Sequence, residues 1–174
     1  CGAAHLHGNI DNRLHADLDS NGWPQSGRNR ALRAIRKAGA VHIAGDQHLA
    51  TVIRHGIDAF GDGPWAFVVP ASVNTYYKRW WWPEDEQPGM NHNPDNPLPW
   101  TGDYYDGLGN RITMVAYANP EEPSEGGGFG LIRFHKPSRQ VTFECWPREV
   151  YVLEKGANQF TGWRVTVTPE NITD

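Results

Sequence analysis

The spacing of apolar positions changes along the chain, and each change predicts an element. Between Ser26 and Ala38, the residues Ala31, Leu32, Ile35 and Ala38 fall three or four apart, the spacing of one buried stripe on an α-helix. Pro24 suits the entry to such a helix, and Gly39 is the residue type that ends one in a left-handed turn. Ala40–Ala44 is then a short continuous apolar run of strand length, stopped by the turn signal Gly45-Asp46. The pattern predicts a helix over 26–38 followed by a buried strand over 40–44. At the C-terminal end of that strand stands Gly45-Asp46-Gln47-His48, where sites gather in open α/β sheets.

Beyond this unit the pattern belongs to strands. Leu49–Ile57 carries Val52, Ile53 and Ile57, and His55 within it reads as a packed or edge histidine. Trp65–Ala71 is a strand closed by Pro70. Ile112–Ala118, Gly130–Phe134, Val141–Cys145 and Arg164–Thr168 alternate or run apolar at strand length, with Lys136–Arg139 as a hairpin turn. Val141, Phe143 and Cys145 share one face, so Cys145 reads as a small core residue. Gly126–Gly128 precedes a strand and lacks the spacing that cradles a phosphate. Two stretches break the pattern. Asn74–Pro83, NTYYKRWWWP, concentrates five aromatics that form a lid or wall over the core, or, on a sharper reading, a stacking platform. Glu84–Gly109 has no period and reads as a long structured loop anchored by Trp100, Tyr104 and Tyr105. The expected fold class is mixed α/β (α+β). Residues 1–120 form its main part, and 121–174 form a β-hairpin-rich extension of the same domain.

Composition narrows the function classes. At 174 residues the chain can bury one sizeable core. Eight Trp, thirteen Pro and nineteen Gly describe a loop-rich chain with large aromatic anchors, not a helical bundle. The net charge of −4 comes without a basic stripe, so nucleic acid is not an expected partner. The apolar runs fall far short of the ~20 residues of a membrane helix. Two cysteines do not make a disulfide framework. Cys1–Ala4 has no basic region of a signal peptide. The abrupt start, and an end at Pro169–Asp174 without a closing element, suggest a piece of a larger domain.

Several residues carry candidate chemistry. Asp46 and His48 share a tight turn at a strand end, and imidazole is a ligand for zinc, iron and similar ions. His5 and His7 lie on one face if their stretch is extended, and two such imidazoles can share a metal. Arg28, near the predicted helix start and beside the acidic loop Asp17–Gly22, is placed to pair with Asp19 or reach an anion. Arg79, among the aromatics, is a second anion contact. The alternative is a non-catalytic module that binds carbohydrate or a protein partner through its Trp and Tyr cluster, with GDQH as an ordinary turn.

The stretch DLDSNGWPQSGRNRALRAIRKAGAVHIAGDQHLATV resembles the C-terminal half of the alkaline-phosphatase-D (PhoD-like) metallophosphatases, of the calcineurin-like metallophosphoesterase superfamily. The family's last metal motif, a glycine, an Asp or His, any residue and a His, is matched by Gly45-Asp46-Gln47-His48. Asp17, Asp19, Trp23, Pro24 and Arg28 fit the acidic loop, Trp-Pro pair and arginine-bearing helix upstream. FVVPASVNTYYKRWWWP and TGDYYDGLGNRITMVAYANP are similar to the later segments.

The resemblance implies a two-sheet sandwich flanked by helices, with a two-metal site at the strand ends. It implies a hydrolase of phosphate esters that is exported, periplasmic or extracellular. His48 and either His5 or His7 would be metal ligands, and Asp46 and Arg28 catalytic. Arg79 and Trp23 would face the substrate. The family's earlier motifs, an Asp-x-His, a Gly-Asp-x-x-Asp and an Asn-bearing motif, have no counterpart ahead of Gly45. The chain therefore holds about half of the expected ligands, and its uncovered apolar surface makes a homo-oligomer an expectation.

Overall fold

The structure is a computed structural model describing residues 6–7, 14–15, 24–45, 49–72, 79–80, 88–106, 108–118 and 126–169, with 6–7, 14–15 and 79–80 described by their backbone. In chain order the elements are β1 (Leu6–His7), β2 (Leu14–His15), α1 (Gln25–Lys37), β3 (His42–Ala44), β4 (Thr51–His55), β5 (Trp65–Val68), β6 (Arg79–Trp80), β7 (Gly102–Tyr105), β8 (Arg111–Tyr117), β9 (Gly128–His135), β10 (Gln140–Pro147) and β11 (Val165–Val167). Among the described residues the strands form three sheets: five strands in the order β3-β5-β4-β8-β7, three in the order β11-β10-β9, and three short ones in the order β2-β1-β6. The chain is thus mixed α/β, dominated by sheet.

Helix α1 follows the apolar stripe within a residue of the expected bounds. Its first carbonyl partner is Pro24 O, which accepts from Gly27 N and Arg28 N. Its end turns through Gly39 at φ 61°, whose N–H closes on Arg36 O at 2.9 Å. The buried positions are Arg28 and Leu32, one turn apart, with Ile35 half-buried beside them. On the outer side the helix is tied to the 57–62 turn. Arg33 Nη2 donates to Asp58 Oδ1 at 3.0 Å and Arg36 Nη1 to Asp62 O at 3.1 Å. The Asp62 carboxylate accepts the backbone N–H of Ile57, Asp58 and Ala59, which locks that turn.

In the five-stranded sheet, β3 and β5 run parallel, while β4, β8 and β7 pair antiparallel. Register assigns its two faces. Val52 lies opposite Phe67, and Ile43 pairs with Phe67 from the other side, so these three share a face. Ile53, Ala66 and His42 share the opposite face, with His55 two residues beyond Ile53. The first face receives the β9–β10–β11 sheet. Phe67, fully buried, meets Phe143 at 5.1 Å and Trp163 at 5.5 Å between ring centroids. β9 comes this close because Gly130 has no side chain; a Cβ there would lie 2.8 Å from the Phe67 ring. One core therefore draws on both parts of the chain, from Leu49 to Tyr117 and from Val141 to Val167.

The hairpin β9–β10 turns at Lys136–Arg139, and Val141, Phe143 and Cys145 are all buried, Cys145 as an inert core thiol. Two expectations change. The 40–44 strand is shorter and is not buried: β3 is the outermost strand of its sheet, and Ile43 is 47% exposed. The 84–109 stretch is not all loop. Its last part is β7, and Tyr104 joins the core. Four residues, GDYY, are too few to display an alternation, and pairing with β8 is what makes them a strand.

Candidate functional site

The GDQH motif follows one end of the five-stranded sheet. β3 stops at Ala44, whose carbonyl accepts the N–H of Val69 at 2.9 Å, so β3 and β5 end side by side. At the same end β4 begins and β8 finishes: Thr51 lies opposite both Val68 and Tyr117, and Ala118 N donates to Ala50 O at 3.0 Å. Since β5 stands between β3 and β4, the link from Gly45 to Leu49 joins strands that are not neighbours. Leu49 and Ala50 anchor it, both 2% exposed. The Thr51 hydroxyl just after it is buried and, among the described residues, has no hydrogen-bond partner. The motif thus sits on a connection whose two ends are held by the sheet. Asp46 and His48 themselves lie outside the described residues, as do His5 and Trp23.

His7 and Arg79 are placed by their backbone. Leu6 pairs with Trp80 and His7 with Arg79 across the antiparallel β1–β6 pair, and His7 faces Leu14 on β2. Two of the residues singled out by sequence therefore occupy opposed positions on neighbouring strands, although they are far apart in the chain.

Arg28 goes elsewhere. Its guanidinium is drawn under the helix to the far end of β4. Nη1 donates to Gly56 O and Asn29 Oδ1, both at 2.9 Å, and Nη2 to Arg111 O and His55 Nδ1, both at 3.3 Å. The residue is 8% exposed. The GDQH link joins β4 at Thr51, whereas Arg28 meets it at His55, four residues on, or about 13 Å of strand. Among the described residues its bonds give it a structural role, because the buried stripe of α1 carries this side chain inward with Leu32; Asp19 lies outside the described residues. Sequence periodicity hides such a residue, since an arginine is scored as polar wherever it falls.

The partners of Arg28 are the residues that pattern reading passed over. Arginine only donates, so His55 Nδ1 accepts and the neutral ring carries its proton on Nε2. The His42 ring stacks on it with centroids 5.8 Å apart and planes 27° apart. Burial lowers the pKa of His42, and burial together with the adjacent Arg28 charge holds His55 well below the ordinary imidazole value. Both rings are therefore neutral at pH 7, and His55 Nε2 and His42 Nδ1 are buried without hydrogen-bond partners. Burial also lowers the pKa of Arg28, an effect opposed by the charges of Asp106 and Asp62. Nearby, Gln25 Nε2 donates to Asn110 Oδ1 at 2.9 Å, and Asn110 Nδ2 to Asp106 Oδ2 at 3.0 Å. This is a scaffold of polar groups bonded to one another, suited to holding α1 on the sheet.

Among the described residues there is no group of three or more His, Cys, Asp or Glu side chains able to hold a metal ion. The imidazoles and carboxylate of the sequence-derived set are suitable donors for a divalent ion. His48, Asp46 and one upstream histidine are too few for two ions. No family model, curated protein or solved structure matches the chain.

Proposed function

We propose that this chain is the metal-binding C-terminal portion of a phosphoester hydrolase of the alkaline-phosphatase-D type. The observation that carries the reading is the position of Gly45-Asp46-Gln47-His48: it leaves the C-terminal end of a strand that runs parallel to its neighbour, on a connection anchored at both ends. In this reading His48 is a metal ligand, with His7 or His5 supplying a second imidazole. Asp46 ligates directly or orients a histidine. Arg79, opposed to His7 in register, balances the charge of the phosphoryl group, and Trp23 lines the substrate's place. Bound divalent ions supply Lewis-acid stabilisation of phosphoryl oxygens and a water of lowered pKa. The chain's own contribution is to fix donors at the end of a rigid sheet and to set a cation across from them.

With three donors, the 174-residue chain binds one ion weakly and turns over little or no phosphate ester. The test is calorimetric titration of the chain and of His48→Ala with zinc and manganese, beside assays on a chromogenic phosphomonoester and phosphodiester. Weak binding of one ion, lost in His48→Ala, supports the reading. Metal binding indifferent to His48, or none at all, overturns it.

A further inference from the structure

Beside β3 lies a groove that the hydrolase reading does not use. It has a volume of about 590 Å³ and lies between the start of β3 and the tip of the β9–β10 hairpin. Its apolar surface comes from Val41, Ile43, Phe134 and Val141. Ile43 is 47% exposed and Phe134 68%, so two large apolar side chains from different sheets face solvent over one concavity. Lys136 and Arg139 stand at its rim, and Lys136 has no ion-pair partner among the described residues.

The groove also borders an open strand edge. β3 ends the five-stranded sheet. Because Ala44 O bonds Val69 N, the backbone groups of Ala44 and His42 point to β5, and those of Ile43 point away from it. Among the described residues the N–H and C=O of Ile43 therefore have no partner at the edge, beside the apolar floor and the cationic rim. Main-chain hydrogen bonds, apolar contact and positive charge are together what an added extended segment requires.

We propose that this groove takes an extended acidic peptide segment of a partner protein, which adds as a strand to the edge of β3. Its apolar side chains lie on Ile43 and Phe134, and its carboxylates face Lys136. A second copy of this chain fits less well. Pairing β3 with its own copy sets the same cationic rim against itself, at a cost in like-charge repulsion.

The probe is a fluorescently labelled, end-blocked heptapeptide alternating glutamate and valine, with a control peptide bearing lysine in place of glutamate. Binding to the 174-residue chain is read by anisotropy at two salt concentrations. The glutamate peptide is expected to bind at least about tenfold more tightly than the lysine peptide, and to weaken with salt. Ile43→Pro removes the outward N–H while leaving the bonds to β5, and weakens binding about tenfold. Phe134→Ser sits on an exposed position of the other sheet and weakens binding severalfold; thermal melting verifies that both variants stay folded. Equal affinity for the two peptides overturns the proposal. So does unchanged binding in folded Phe134→Ser, or sedimentation showing a dimer that Ile43→Pro dissolves in the absence of peptide.

Discussion

The two faces of the five-stranded sheet are held by different physics. On the face of Phe67 the contact is apolar: Phe67, Phe143 and Trp163 meet within 5.5 Å, and Gly130 lets the second sheet approach. On the face of His55 the contact is directional: α1 is attached through a buried arginine that donates to two carbonyls and an imidazole. An apolar face tolerates small shifts and loses stability in proportion to the volume removed. A polar face loses stability when one member is removed, because the remaining buried groups are left unpaired. The GDQH link is anchored beyond the end of both, at Ala44 on one side and at Leu49 and Ala50 on the other.

The largest test of this contrast is Phe67→Ala, which should cost about 4 kcal/mol in urea denaturation, through the cavity left between the sheets. A loss below about 1 kcal/mol would mean that the two sheets do not depend on each other. Arg28→Ala should follow at about 3 kcal/mol, since it strands Gly56 O and His55 Nδ1, while Arg111 O keeps the N–H of Gly56. Arg28→Lys should recover little of it, because one ammonium cannot reproduce a fork that serves several acceptors. Full recovery by lysine would show that charge, not geometry, holds the helix.

In the range where imidazoles titrate, acid should act on the polar face. His42 and His55 have folded pKa values lowered from 6.5, so at pH values below 6.5 the unfolded chain takes up protons that the folded chain refuses. Their contribution to stability is complete above the ordinary imidazole value and is lost as pH falls through it. The denaturation midpoint should therefore drop between about pH 7.5 and 5.5, and less so in His55→Leu. An unchanged midpoint in the parent chain would show that the imidazoles are not buried as neutral groups. The smallest effect belongs to the outer side of α1. The Arg33–Asp58 pair is exposed at 45% and 70%, and Arg33→Ala should cost about 0.3 kcal/mol, a value that salt abolishes.

The candidate site was legible in the sequence as far as its motif and strand end, and not in its surroundings. A glycine, an acid and a histidine at fixed spacing can be read wherever they fall, and the run before them announces a strand. His55 was read as a packed histidine and is one. The juxtaposition of His7 with Arg79 has no local signal, since strands of two residues show no period and their register depends on each other. Arg28 was read as pairing with Asp19 or reaching an anion because it lies near the helix start and beside acidic residues in the chain. Its bonds to His55 and to the carbonyls of Gly56 and Arg111 have no local signal in the sequence.

By itself, the sequence determined the elements whose information is local. These are the helix with its Gly39 terminus, the β9–β10 hairpin with its turn, the buried face of Val141, Phe143 and Cys145, and the strand before Gly45. Each rests on side-chain period and on the conformational preferences of glycine and proline, which need no distant partner. Only the tertiary structure decided that β3 is an edge, that GDYY is a strand, and that an arginine joins Leu32 in fixing α1 to the sheet. Burial and pairing are properties of neighbours. Ile43 is exposed because no strand lies beyond it, and Arg28 is buried because two carbonyls and an imidazole from β4 and β8 are there to receive it.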